Sequence, residues 1–415
     1  MNKIIFFTSR YPFQTVGENF FESELAGVAP QYDEVYIVTC NCTKKDPPSC
    51  HELPPNVTAL SLARESSRSL LLRGVFALPF HAFFWKELRQ LRRTGLPFFP
   101  GVRTLINCGA HRLAIRRRLP AAVRQIPISA QDHVTLFGYW LGYVSMAALD
   151  FKKLAGLKNA RVVSRAHGPA DIQNLMMPNR FYPFQQYLLE KLDGIFAISD
   201  AGQELLRSRS PRPEIISRVY IGSMGPEKLT PHCRAPFTIM TCANFFAHKR
   251  IGTVADAVHL LLKKIPDLRW VHFGDGPLRA QVEAACADIA QHVTFMGNCP
   301  HQELLSYLAS GEPSVFVSAS AAEGLPVSIM EAIAYATPVV ATDVNATREA
   351  VVTGITGTLV DANVSPGDLA DSIYPYAVME QDAYDALCRK TYAFWQEHFD
   401  CRQNSRKLSE ELKSF

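Results

Sequence analysis

The chain has 415 residues, of which 47% are hydrophobic and 20% charged, and its formal net charge is +4. That length exceeds what one core serves and points to two domains, while the composition excludes a disordered chain. No apolar run approaches the roughly 20 residues of a membrane-spanning helix, and MNKIIFF passes straight into polar sequence, so the expected location is cytoplasmic.

The ten cysteines are scattered, several within apolar stretches such as IMTCANFF, as suits reduced, buried thiols. The cluster Cys40, Cys42, Cys50 and His51 matches no common zinc spacing and reads as a loop, so no metal site is expected.

In chain order, KIIFF reads as a first buried strand. The loop TSRYPFQTVGENFFESEL follows. EVYIVTC reads as a second strand. From Arg64 to Arg118 there are twelve Lys/Arg against two acids, so this window carries +10 and the remainder about −6. Its basic residues interleave with large apolar ones in LLLRGVFALPFHAFFWKELRQLRR. That pattern fits an interfacial helix on an anionic membrane surface, or a helical hairpin with a solvated basic face. No nucleic-acid motif accompanies it, so no nucleic-acid partner is expected.

HVTLFGYW, ARVVSRAHG and GIFAISD continue the strands, with helical segments between them. The Gly/Pro-rich stretch GSMGPEKLTPHCRAP marks a linker near residues 224–236. The pattern then restarts with FTIMTCA, LRWVHFG, HVTFMG, SVFVSAS, PVVAT and GTLVD. Two such runs predict an α/β chain of two doubly wound, Rossmann-like domains facing each other across a cleft.

The segment SASAAEGLPVSIMEAIAYATPVVAT places Glu323 and Glu331 on either side of a turn that opens a helix, with Pro326 expected as its first residue. The amides of Gly324 and Leu325 in that turn, with the helix dipole, favour an anion such as a diphosphate. Carboxylates would be repelled by that anion, so the two glutamates suit hydroxyl donors such as those of a sugar or ribose. An N-terminal helix carboxylate and a surface glutamate remain an equally open reading of the spacing.

EGLPVSIME resembles the E-x7-E motif of the retaining glycosyltransferases with the two-domain GT-B fold, family 4 or group 1. Other segments fall in that family's order and resemble its bacterial surface-polysaccharide branch. ANFFAHKRIGTVADAV resembles the segment carrying the diphosphate-binding lysine, here Lys249, with Arg250 beside it. VHFGDGPLRAQVE and VTFMG resemble the segments flanking the nucleobase, which implies Gly274 and Met296 there. SRAHGPADI resembles the motif with a histidine at the donor sugar, here His167, with Arg165 and Asp171 nearby. Tyr139 and Trp140, in LFGYWLGY, read as core or cleft wall.

The resemblance implies that Glu331 binds ribose hydroxyls, Glu323 the donor sugar, Gly324 and Leu325 the diphosphate or sugar, and Lys249 the leaving diphosphate. His167, Glu323 and Lys249 would form the catalytic group. The family's usual arginine five residues before the lysine is Asn244 here, and only Gly17 stands where a glycine pair is common. No Asp-x-Asp occurs, so neither metal nor cofactor is expected.

The resemblance implies residues 1–225 as an acceptor domain with the basic insertion 64–118. Residues 226–385 would be the donor domain, and 386–415 a helix returning to the first. The implied activity is transfer from a nucleotide-sugar, UDP-linked, to a hydroxyl of a glycan or glycolipid acceptor. That acceptor would be a lipid-linked oligosaccharide or a lipopolysaccharide or capsule precursor, met at the cytoplasmic face of the inner membrane. A nucleotide-sugar epimerase or hydrolase and a non-catalytic partner subunit are the alternatives. A dehydrogenase lacks its G-x-G-x-x-G after KIIFF.

Overall fold

In a computed structural model of the chain, the N-terminal strands pair into one parallel sheet of seven. They are β1 (Asn2–Thr8), β2 (Glu34–Thr39), β3 (Val57–Ser61), β4 (His133–Gly138), β5 (Arg161–Ala166), β6 (Gly194–Ala197) and β7 (Ile216–Arg218). Their order is β3-β2-β1-β4-β5-β6-β7. The structure describes residues 1–13, 18–41, 49, 51–62, 69, 72, 75–168 and 181–414.

Alternate side chains of β1 feed two cores. Ile5 and Phe7 join the core on one face of the sheet, and Ile4 and Phe6 the core on the other. Both faces are covered, so the strand reads as a continuous apolar run. Phe6 meets Phe21 and Phe137 edge-on, with centroids 5.0 and 5.2 Å away. Each such ring contributes roughly 1.5–3 kcal/mol through burial.

The second sheet has six parallel strands, β8 (Thr238–Cys242), β9 (Arg269–Phe273), β10 (Val293–Gly297), β11 (Val315–Ser318), β12 (Val339–Thr342) and β13 (Gly357–Val360). Their order is β10-β9-β8-β11-β12-β13. The helix Ile251–Leu262 lays Val254, Val258 and Leu261 on this sheet. The indole of Trp270, fully buried, donates to Thr241 Oγ1 at 2.9 Å.

Contacts divide the chain into residues 1–221 with 405–415, and residues 222–404. The sequence set these divisions after residues 225 and 385. The later second boundary has a packing reason. Helix Gln381–His398 belongs to the second unit, where Tyr384 Oη donates to the Ser314 carbonyl at 2.7 Å and Trp395 Nε1 to Ser223 Oγ at 2.9 Å. Leu408 and Leu412, further on, join the core of the first.

The basic insertion contains a turn, Leu78–Phe80, and the helices Ala82–Arg93 and Phe98–Gln125. Arg64, Arg68 and Arg73 lie outside the described residues. The first helix buries Phe84, Glu87, Leu88 and Leu91, and turns Trp85, Lys86, Arg89, Arg92 and Arg93 outward. Glu87, its one acid, accepts the Phe184 N–H at 2.9 Å, so the outward face is cationic. Among the described residues no helix is long and apolar enough to cross a membrane.

Candidate functional site

In a doubly wound sheet, ligands bind beyond the C-terminal ends of the strands where the strand order reverses. In the second sheet that point lies between β8 and β11. After β8 the chain makes a single 3-10 turn, Ala247–Lys249, and Arg250 enters helix Ile251–Leu262 in the left-handed region at φ 50°. After β11 it passes through Glu323, Gly324 and Leu325 to helix Val327–Ala334. Pro326 caps this helix at φ −75° instead of opening it, one position earlier than the sequence placed it.

The two loops are joined. Ala321 N–H donates to the His248 carbonyl at 2.7 Å, and Lys249 Nζ donates to Glu323 Oε1 at 2.6 Å. The two side chains are 21% and 13% exposed, so the pair is largely shielded but open on one side. Among the described residues no protein acceptor meets the Gly324 or Leu325 N–H. With the helix start behind them, these amides offer an anion two donors.

Glu331 stands in the second turn of that helix and is 7% exposed. A carboxylate this buried needs a partner. Here His301 Nε2 donates to Glu331 Oε1 at 2.6 Å. His301 opens helix His301–Ala309 just beyond β10, and its side chain is 42% exposed. Sequence reasoning missed it, although it lies at a strand's C-terminal end, where this fold places ligands. Burial and the Glu331 charge push the neighbouring Cys242 thiol up.

The loops after β8, β9 and β10 are knitted together. Phe245 N–H donates to the Asp275 carbonyl at 3.1 Å, and Gly274 N–H to the Gly297 carbonyl at 3.0 Å. Gly274 sits at φ 137°, and a Cβ there would lie 2.1 Å from the Ala243 carbonyl oxygen. Only glycine fits that approach. Met296 is half-buried in β10 and Asn244 is exposed. Arg250 donates to the Ala362 carbonyl, which directs it to the loop after β13.

His167 lies in the first unit, at the end of β5, and is 8% exposed. Phe20, Tyr139 and Trp140 surround its ring at centroid distances of 5.2, 5.0 and 4.4 Å. Its Nε2 donates to the Tyr139 carbonyl at 2.8 Å. Burial, with the nearby Arg165 charge, pushes its pKa down to about 3, so the ring is neutral near pH 7. Arg165 is an ion-pair residue, donating to buried Glu24 at 2.9 Å.

Glu18, which the sequence reading passed over, is a carboxylate held by four donors. It accepts the Ser9, Arg10 and Tyr11 N–H groups at 2.9, 2.6 and 2.7 Å and Trp140 Nε1 at 2.6 Å. It ties the loop after β1 to the one after β4, at the first sheet's own reversal point. Gly17 and Asp171 lie outside the described residues, as do Cys42 and Cys50. His51 packs at a tilt against Tyr11, with ring centroids 4.8 Å apart, and pairs with Glu22.

Two parallel-sheet α/β units are the architecture of the GT-B fold, and solved structures share it. Sucrose-phosphate synthase from Thermosynechococcus elongatus superposes with a TM-score of 0.71 at 15% identity, covering 100% of this chain and 99% of that one. HepE from Anabaena, in complex with UDP and glucose, does so with 0.67 at 14%, covering 99% of each. Residues 236–376 match the family Glycosyl transferases group 1. It is also 27% identical over 253 residues to the amylovoran biosynthesis glycosyltransferase AmsK of Erwinia amylovora, a match spanning 58% of this chain and 60% of that relative.

Proposed function

We propose that the protein is a retaining glycosyltransferase that moves a sugar from a nucleotide-sugar, UDP-linked, to an acceptor hydroxyl. The observation that carries this is the 2.6 Å contact of Lys249 with Glu323 at the reversal point. A cation and a hydrogen-bond acceptor at one spot suit the junction where a diphosphate meets a sugar. Lys249 would exchange Glu323 for the diphosphate and stabilise its charge as the glycosidic bond breaks. The Gly324 and Leu325 amides would add donors, in place of a metal ion. Glu323, released, would accept from sugar hydroxyls, and Glu331 from the ribose.

In the retaining step the bond from the anomeric carbon to the diphosphate oxygen breaks and one to the acceptor oxygen forms on the same face. The leaving phosphate takes the acceptor proton. The amylovoran-biosynthesis name of the Erwinia relative and the UDP and glucose in the Anabaena structure support a biosynthetic glycosyltransferase that uses UDP. The acceptor we propose is a lipid-linked oligosaccharide or a lipopolysaccharide or capsule precursor, met at the inner membrane's cytoplasmic face. The cationic face of helix Ala82–Arg93 favours that location, with Phe80 89%, Phe99 83% and Phe76 74% exposed nearby.

Calorimetric titration with UDP, GDP, CDP and ADP tests the donor site, followed by turnover of the matching nucleotide-sugars and NMR of the product's anomeric configuration. Binding of one diphosphate, and a product that keeps the donor's configuration, is the expected result. Failure of all four to bind overturns this reading in favour of a non-catalytic partner subunit, which the uncharged Asn244 favours.

A further inference from the structure

We propose that His301 is a positioning residue that sets ribose recognition by holding the Glu331 carboxylate. This rests on the reading of Glu331 as the ribose-binding group. Three observations support it. His301 Nε2 lies 2.6 Å from Glu331 Oε1, a length proper to a charge-assisted bond. The Glu331 side chain is 9% exposed and that of His301 42%, so the carboxylate is nearly closed off while the imidazole borders solvent. The two residues also come from separate elements, helix Val327–Ala334 and helix His301–Ala309, each starting beyond the C-terminal end of a strand.

A glutamate side chain has three rotatable bonds, and one fixed oxygen orients the whole carboxylate. With Oε1 engaged by His301, Oε2 and the second lone pair of Oε1 are left for hydroxyl donors. Two hydroxyls on adjacent carbons suit that pattern, and losing one leaves a buried acceptor unpaired. His301 therefore makes Glu331 discriminate between a ribonucleotide and its 2′-deoxy counterpart. Without the imidazole, Glu331 would turn toward the positive helix start or Lys249, and the preference would fade.

Titrate the full chain and its variants with UDP, GDP, CDP and ADP, each beside its 2′-deoxy form. For the diphosphate that binds best, wild type prefers the ribose form by about tenfold, the size of one good hydrogen bond to a charged group. His301→Ala weakens the ribose form by about tenfold and the deoxy form less than about twofold, which erases the preference. His301→Gln, which presents an amide N–H at a similar reach, keeps most of it.

Equal weakening of both forms by His301→Ala, or none, overturns the assignment, because a merely structural role would not separate the two. Glu331→Ala distinguishes the layers. If it leaves binding unchanged, the ribose-site reading itself fails. If it abolishes the ribose preference while His301→Ala does not, only the role of His301 fails.

Discussion

Replacing Lys249 with Met keeps most of the length of the side chain and removes its charge. Lys249 Nζ and Glu323 Oε1 are 2.6 Å apart and only 21% and 13% exposed, so the change orphans a shielded carboxylate. A buried pair broken on one side costs about 3–5 kcal/mol, and the remaining exposure reduces that to about 1–2 kcal/mol here. For a unit of this size each kcal/mol lowers Tm by about 2–4 °C. The double variant Lys249→Met, Glu323→Gln leaves no orphaned charge and recovers most of that loss.

Binding behaves differently. A charge-assisted bond to the diphosphate is worth about 1.5–3 kcal/mol, so UDP weakens by about 10- to 150-fold in both variants. Uridine, which has no phosphate, binds Lys249→Met and wild type alike. Calorimetry with uridine, UMP and UDP, beside thermal unfolding, gives all four numbers. Equal weakening of uridine and UDP would refute the diphosphate role. A double variant no more stable than Lys249→Met would refute the orphaned-charge argument.

Gly274→Ala forces a Cβ to within 2.1 Å of the Ala243 carbonyl at φ 137°. It should destabilise the second unit by about 2–4 kcal/mol in urea unfolding, a loss absent from Gly252→Ala. Stability should also fall on acidification. Free histidine protonates near pH 6.5, whereas His167 is held to about 3 and His272, by burial first, to about 4. The unfolded chain then binds more protons, so stability is whole above pH 6.5 and declines below it by up to about 1.4 kcal/mol per pH unit for each group. His167→Gln, which keeps a donor for the Tyr139 carbonyl, should flatten that decline when unfolding is compared at pH 7 and pH 5. Sedimentation with anionic vesicles at low salt should pull down the wild-type chain. Trp85→Ser with Arg89→Glu should weaken that binding at least about tenfold. Equal recovery on neutral vesicles would contradict the electrostatic part.

The apolar runs made eleven of the thirteen strands among the described residues legible, the central ones because they are buried on both faces. The two missed were β3 and β7, at the edges of the first sheet. β3 reads Val-Thr-Ala-Leu-Ser with only Val57 buried, and β7 has three residues. Neither carries enough hydrophobic signal to stand out from a loop. Glu323 and Glu331 drew attention through their spacing around a Gly-Leu-Pro turn, and Lys249 through the resemblance of ANFFAHKRIGTVADAV to a family segment. The pairing of Lys249 with Glu323 was not legible, because the two are 74 residues apart in sequence. His301 and Glu18 were missed for the same reason. A lone titratable residue gains its meaning from a partner that only the folded chain brings near.

The central claim is that the β8–β11 crevice of the second unit is a nucleoside-diphosphate site. A crystal structure of the full chain grown with UDP, GDP, CDP and ADP in turn tests it most directly. The account predicts one nucleotide with its ribose hydroxyls on Glu331, its diphosphate on Lys249 and the Gly324 and Leu325 amides, and the Lys249–Glu323 contact broken. A nucleotide bound elsewhere, or bound here with that contact intact, would contradict it.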